Sequence, residues 1–136
     1  MKIKLDDGAF VPTRAHEHDG GMDLYAMEDQ IVPAKESAIF DTGVHVQLPS
    51  GTAGLLVSKS GLNVKNGLTS EGLIDEGYTG SIVVKLYNNS SFDYRVHRGD
   101  KISQLVILPI ITPEVELVDE LENTERGTGG FGSTGK

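Results

Sequence analysis

Asp75 stands in the stretch Gly72-Leu73-Ile74-Asp75-Glu76-Gly77-Tyr78-Thr79-Gly80, which reads as a hairpin-like turn, with two apolar residues before it and Tyr78 three residues on. A carboxylate there can take a proton, and an aromatic ring beside it offers a flat surface for a sugar or base. Turns also use Asp and Tyr for geometry alone. Asp23 follows Gly20-Gly21-Met22, where glycines free the backbone just ahead of a carboxylate at a strand start. It can position a hydrated divalent cation, since such ions favour oxygen ligands, or simply complete a turn. In Ser58-Lys59-Ser60-Gly61-Leu62, hydroxyl, ammonium and helix-start N–H groups converge in a way that suits phosphate; the plainer reading makes Ser60 a helix N-cap. Gln104 lies among apolar neighbours within Arg98–Leu105, so its amide needs a partner from backbone or ligand. Asp100 in the same stretch reads as a turn former.

The segment after Glu125, RGTGGFGSTGK, is nearly half glycine, and Phe131 is its only large apolar side chain. It cannot order itself by burying core surface. Closely spaced glycines let backbone N–H groups approach phosphate oxygens, and Arg126 and the Ser133-Thr134 pair bracket them, so residues 126–136 are expected to form a mobile arm that orders on a ligand. The plainer reading is a frayed tail. His16-Glu17-His18-Asp19 has metal-binding residue types, but its spacing lies in a polar loop without a further evident ligand. Neither Ser60 nor Ser133 has a nucleophile-elbow context.

Strands must position these groups. Phe40, Thr42, Val44, Val46 and Leu48 alternate with polar or small residues, which is the period of a half-buried strand. Similar stretches run over Ile3–Leu5, Asp23–Ala26, Leu55–Ser58, Ile82–Tyr87, Phe92–Val96, Ile102–Leu108 and Val115–Val118, separated by DGG, PSG, NNSS and HRGD turns. The pattern predicts an all-β sandwich, jelly roll or barrel, with one short helix starting at Ser60. The 136 residues suit one domain over residues 1–125, followed by the arm.

Composition excludes several classes. The chain has no cysteine, hence no disulfide framework or thiolate site. A net charge of −8 is the wrong sign for coating nucleic acid, and a polyanionic ligand would need collected cations, backbone donors or a divalent metal. The longest mostly apolar run, Leu105–Ile111, is too short to cross a bilayer, and a cytoplasmic protein is expected.

Taken in order, GGMDLYA, SKSGL, GLIDEGYTGSI, RGDKISQLV and ERGTGGFGSTG resemble the motifs of the trimeric, all-β deoxyuridine triphosphatase family, from about Met22 to Gly135. The resemblance implies a distorted jelly-roll barrel, homotrimers with shared active sites, and Mg²⁺-dependent hydrolysis of dUTP to dUMP and pyrophosphate. It implies that Asp75 is the general base for water attack at the α-phosphorus and that Asp23 holds the hydrated Mg²⁺. Lys59, Ser60, Gly61 and Gln104 match phosphate contacts, and Gly72, Ile74 and Tyr78 match the hairpin that reads uracil and excludes a ribose 2′-hydroxyl. Arg126, Gly132, Ser133 and Thr134 match the arm's phosphate contacts, and Phe131 the ring covering uracil; the arm is implied to close over a neighbouring subunit's pocket.

The chain departs from the family pattern in places. Lys59 replaces the usual Arg, exchanging a forked phosphate contact for a point charge. Thr69 stands where many members have Asn, and Asn63 and Ser81 replace the commoner Ala and Glu. Two rival readings belong beside this one: a deoxycytidine triphosphate deaminase of the same fold, and a non-catalytic jelly roll that uses nucleotide as a signal. Tyr78 and the complete fifth motif favour the pyrophosphatase over the first, and the intact Asp75 favours catalysis over the second.

Overall fold

Period-two burial along Ser37–Gln47 makes the longest strand of the fold, with Ala38, Phe40, Thr42, Val44 and Val46 inward. The computed structural model describes residues 1–132 and Gly135. Among these, the strands in chain order are β1 (Lys2–Leu5), β2 (Gly21–Tyr25), β3 (Gln30–Val32), β4 (Ser37–Gln47), β5 (Thr52–Val57), β6 (Leu68–Thr69), β7 (Glu71–Ile74), β8 (Ser81–Asn88), β9 (Tyr94–Val96) and β10 (Lys101–Pro109), with one helix, α1 (Ser60–Asn66), between β5 and β6. One sheet orders β1-β4-β8-β6, a second β2-β10-β5-β7, and β3 pairs with β9; all ladders are antiparallel. The sheets are not closed on themselves, and the all-β, jelly-roll-like expectation with one short helix holds. No helix among the described residues is long and apolar enough to span a membrane.

Phe40, Val44, Ile82, Val84 and Leu86 of the first sheet meet Met22, Leu24, Leu56, Ile102 and Leu105 of the second in one buried cluster. The β4–β8 ladder slips between Asp41 and His45, where β4 carries extra residues. Gly43 makes that bulge feasible: its φ is 63°, and an added Cβ would lie 2.7 Å from the Met27 sulfur and 2.8 Å from the Ala9 Cβ. Thr42 satisfies the broken ladder by donating from Oγ1 to the Ile82 carbonyl at 2.7 Å.

Three sequence expectations change. Val115–Val118 forms no strand, because among the described residues no strand pairs with it; Val115 and Leu117 are both 97% exposed. The stretch beginning at Gly72 is not all turn: Gly72–Ile74 belong to β7, paired with β5, and the turn occupies Asp75–Tyr78. Ser60 is not the N-cap of α1. Lys59 takes that position in extended conformation, with no side-chain capping bond, and Ser60 is the first helical residue.

Candidate active site

Two loci carry the sequence-derived candidates, at opposite ends of the β2-β10-β5-β7 sheet. At the first, register sets Asp23 of β2 opposite Gln104 of β10, which lies opposite Val57 of β5, the residue leading into Ser58-Lys59-Ser60. Asp23 is 2% exposed. Its Oδ1 accepts from Lys59 Nζ at 2.9 Å and from Gln104 Nε2 at 3.2 Å, and Lys101 Nζ lies 2.7 Å from Oδ2. The partner Gln104 needed is therefore a carboxylate. Burial would push the Asp23 carboxyl up, but hydrogen bonds and charges from Lys101 and Lys59 outweigh it and hold the group below the ordinary carboxylate range. Asp23 in turn raises Lys101.

Sequence reasoning gave Lys101, Ser70 and Ser103 no role. Lys101 reaches Asp23 through cross-strand register, which spacing along the chain does not display. Ser103 donates to the Val57 carbonyl at 3.1 Å and its hydroxyl lies 2.8 Å from that of buried Ser70. Ser58 donates to the Ser70 carbonyl at 3.1 Å and accepts from the Ser70 N–H at 3.0 Å. This hydroxyl chain fixes the segment that delivers Lys59, half-buried, and Ser60 and Gly61, both exposed, to the mouth of the locus.

Among the described residues, no three His, Cys, Asp or Glu side chains gather as a cation cage. Asp23 already meets three donors, so it could hold a divalent cation through water and does not by itself build a cage around one.

At the second locus, Asp75 follows β7 and is exposed, while Ile74 before it is buried. Gly72 packs against Leu56, whose Cδ1 would lie 3.1 Å from an added Cβ. The Tyr78 N–H bonds the Asp75 carbonyl at 3.1 Å, and the Tyr78 hydroxyl donates to the Ser81 carbonyl at 3.1 Å. Its ring folds back over Gly80 so closely that an added Cβ would sit 2.3 Å from the Tyr78 oxygen. Glu71, at the start of β7, is level with Val57, Gln104 and Asp23. Asp75 is therefore about 13 Å further along the strands from that row and about 14 Å across them from Asp23, at ~3.3 Å per residue and ~4.8 Å per strand.

The described residues of the arm bond to one another. Arg126 donates from Nε to the Gly129 carbonyl at 3.0 Å, and the Gly129 N–H returns to the Arg126 carbonyl at 2.9 Å. Phe131 and Gly132 are exposed, and Phe131 has φ of 51°. Ser133 and Thr134 lie outside the described residues. At the polar loop, His16 Nδ1 lies 3.2 Å from Asp19 Oδ2.

The family model for dUTPase matches residues 7–135. The deoxyuridine 5'-triphosphate nucleotidohydrolase of Clostridium acetobutylicum is 45% identical over 99% of this chain and 96% of its own length. That of Yarrowia lipolytica is 46% identical over 96% of this chain and 85% of its own. Among solved structures, the Staphylococcus bacteriophage 80alpha dUTPase with dUpNHpp superposes with a TM-score of 0.93 at 34% identity, covering 99% of this chain and 98% of that one. A phage phi11 dUTPase mutant, whose structure shows coordination of a structural Mg(II) ion, gives 0.82 at 32% identity, covering 90% and 98%.

Proposed function

The chain belongs to the dUTPase family, and from that premise we propose how its two loci hydrolyse dUTP to dUMP and pyrophosphate. The observation that carries the reading is the buried Asp23 row, where a carboxylate, two ammoniums and an amide converge beside the Ser60 segment. Lys59 and Gln104 turn from Asp23 toward the incoming triphosphate, and Ser60 and Gly61 contact it at the helix start. A Mg²⁺ brought with the substrate would be held through water by Asp23 and would supply positive charge against that developing on the phosphate oxygens. Asp75 takes a proton from a water whose oxygen attacks the α-phosphorus; the bond to the bridging oxygen breaks, and pyrophosphate leaves.

Tyr78 packs against the deoxyribose and leaves no space for a 2′-hydroxyl, while backbone groups of Gly72 and Ile74 pair with the uracil edge. A site with fixed donors and acceptors discriminates strongly when the wrong base leaves them unpaired. Residues 126–136 act as a lid, with Phe131 over the uracil and Arg126, Gly132, Ser133 and Thr134 on the phosphates.

Within one chain, Asp75 and Asp23 are too far apart to meet on one α-phosphate. A homotrimer, in which one chain supplies Asp75 and Tyr78, another the Asp23 row and the arm closes between subunits, brings them together. The exposed apolar side chains of the segment before the arm, Ile111, Val115, Leu117 and Leu121, support such a contact.

The test incubates purified protein and Mg²⁺ with dUTP, dCTP, dTTP and UTP and identifies products by chromatography. dUMP and pyrophosphate from dUTP alone are expected. Ammonia from dCTP would favour the deaminase instead, and nucleotide binding without turnover the signalling module.

A further inference from the structure

The hairpin bearing Asp75 and Tyr78 is held from behind by a residue outside all five motifs. His45 of β4 directs both ring nitrogens at acceptors: Nδ1 lies 2.8 Å from the Thr79 carbonyl, and Nε2 lies 3.1 Å from Asp6 Oδ2. Thr79 is the residue between Tyr78 and Gly80. Asp6 follows β1 and is itself fixed, its N–H bonding the Gly43 carbonyl at 2.9 Å in the bulge of β4. A second tie runs beside the first, from the Ser81 hydroxyl to Asp41, whose Oδ1 also accepts the Gly43 N–H at 2.9 Å. The bulge thus presents two polar side chains, His45 and Asp41, to consecutive parts of the segment leading out of the hairpin.

We propose that His45, as an imidazolium bridging Asp6 and the Thr79 carbonyl, is a positioning residue that sets the Tyr78 ring and so governs substrate binding and sugar selection. The proposal rests on the reading of this hairpin as the deoxyribose and uracil contact. Only the doubly protonated ring donates from both nitrogens; in the neutral ring one nitrogen presents a lone pair to an acceptor. The surroundings agree. The Thr79 carbonyl and the Asp6 carboxylate raise His45, outweighing partial burial and the opposing charge of Lys4, its partner in the β1–β4 ladder. Asp41, on its own strand, adds a second nearby carboxylate, and β8 presents only uncharged Ser81 opposite it.

The sign follows. The bridge is complete below the raised pKa of His45 and loosens as pH climbs through it.

The experiment measures KM and kcat for dUTP and for UTP between about pH 6 and pH 9 on the full chain and three variants. The wild type should show KM for dUTP rising toward high pH. Loss of a charged hydrogen bond in His45→Ala should raise KM about tenfold, flatten its pH dependence and narrow the preference for dUTP over UTP, with a smaller loss in kcat than in kcat/KM. His45→Asn, whose amide still donates to Thr79 without titrating, should recover most of the binding and stay flat with pH. Asp6→Asn should move the wild-type limb to lower pH; it also carries the test if His45→Ala fails to fold. A His45→Ala profile that superposes on wild type, or a His45→Asn variant no better than His45→Ala, overturns the proposal. Two readouts need no turnover: the NMR titration of His45, and amide exchange of residues 75–80, which should quicken in His45→Ala. An ordinary His45 titration with unchanged exchange overturns the bridge, whereas the expected shifts in a chain that leaves dUTP intact would refute the proposed activity alone.

Discussion

Gln104 faces Asp23 directly across the β2–β10 ladder and donates to the same oxygen that Lys59 holds. Two of the groups proposed to bind phosphate are therefore engaged by an internal carboxylate, and a triphosphate must win them from it. Lys101 is the third donor, on the other oxygen, and is free of that competition. It keeps Asp23 compensated when Lys59 and Gln104 turn away.

Lys101→Met should consequently destabilise the fold at neutral pH, because the buried Asp23 carboxylate loses one of its two ammonium partners. Asp23 is depressed in the folded state, so its stabilisation is present above the ordinary carboxylate pKa and is lost as pH falls through the depressed value. The gap between variant and wild type should shrink on acidification. Urea unfolding at neutral pH and near pH 3 checks this; a gap that does not change with pH would remove Asp23 as its origin.

Phe40–Leu48 was legible because a long half-buried strand writes its period into the sequence, whereas β3, β6 and β7 are two to four residues long and write almost none. The bulge at Gly43 was hidden, since it depends on Met27 and Ala9 arriving from elsewhere. Val115–Val118 alternates as a strand should, yet alternation specifies a face and not a partner. The motif residues were legible as residue types. Their division between two ends of one sheet, and the ties from Lys101 and His45, arise from register and were not.

Asp75→Asn should bind dUTP with nearly unchanged affinity and lose turnover by about 10²–10⁴-fold, because the amide keeps the shape but does not accept the water's proton. Calorimetric titration with dUTP beside a dUMP release assay separates the two quantities. Near-normal release would take Asp75 out of the role of base.

Gly80→Ala addresses the sugar contact without touching the Tyr78 ring itself. An alanine methyl cannot coexist with the Tyr78 hydroxyl at 2.3 Å, so the ring must swing away or the turn must shift. The ratio of kcat/KM for dUTP over UTP should fall, with UTP gaining in relative terms as space opens at the 2′ position. Tyr78→Ala should move the ratio the same way. If neither variant alters it, the ring does not select the sugar.

Shared active sites make a stronger claim, one that two inactive proteins can test together. Removing residues 126–136 should leave assembly intact, since none of the segment's described residues joins the buried cluster, yet reduce hydrolysis severely. Asp75→Asn should be equally silent. When the two are denatured together in equal amounts and refolded, a pocket works if its Asp75 comes from a truncated chain and its arm from an Asp75→Asn chain. Random trimers would contain about a quarter of such pockets, and activity should return to about that fraction of wild type. If base and arm instead served the same pocket from one chain, no mixture would hold both, and the refolded sample would stay as inactive as its parents. Light scattering on each parent and on the mixture should give the mass of the wild-type assembly, so that a silent mixture reports on geometry and not on lost assembly.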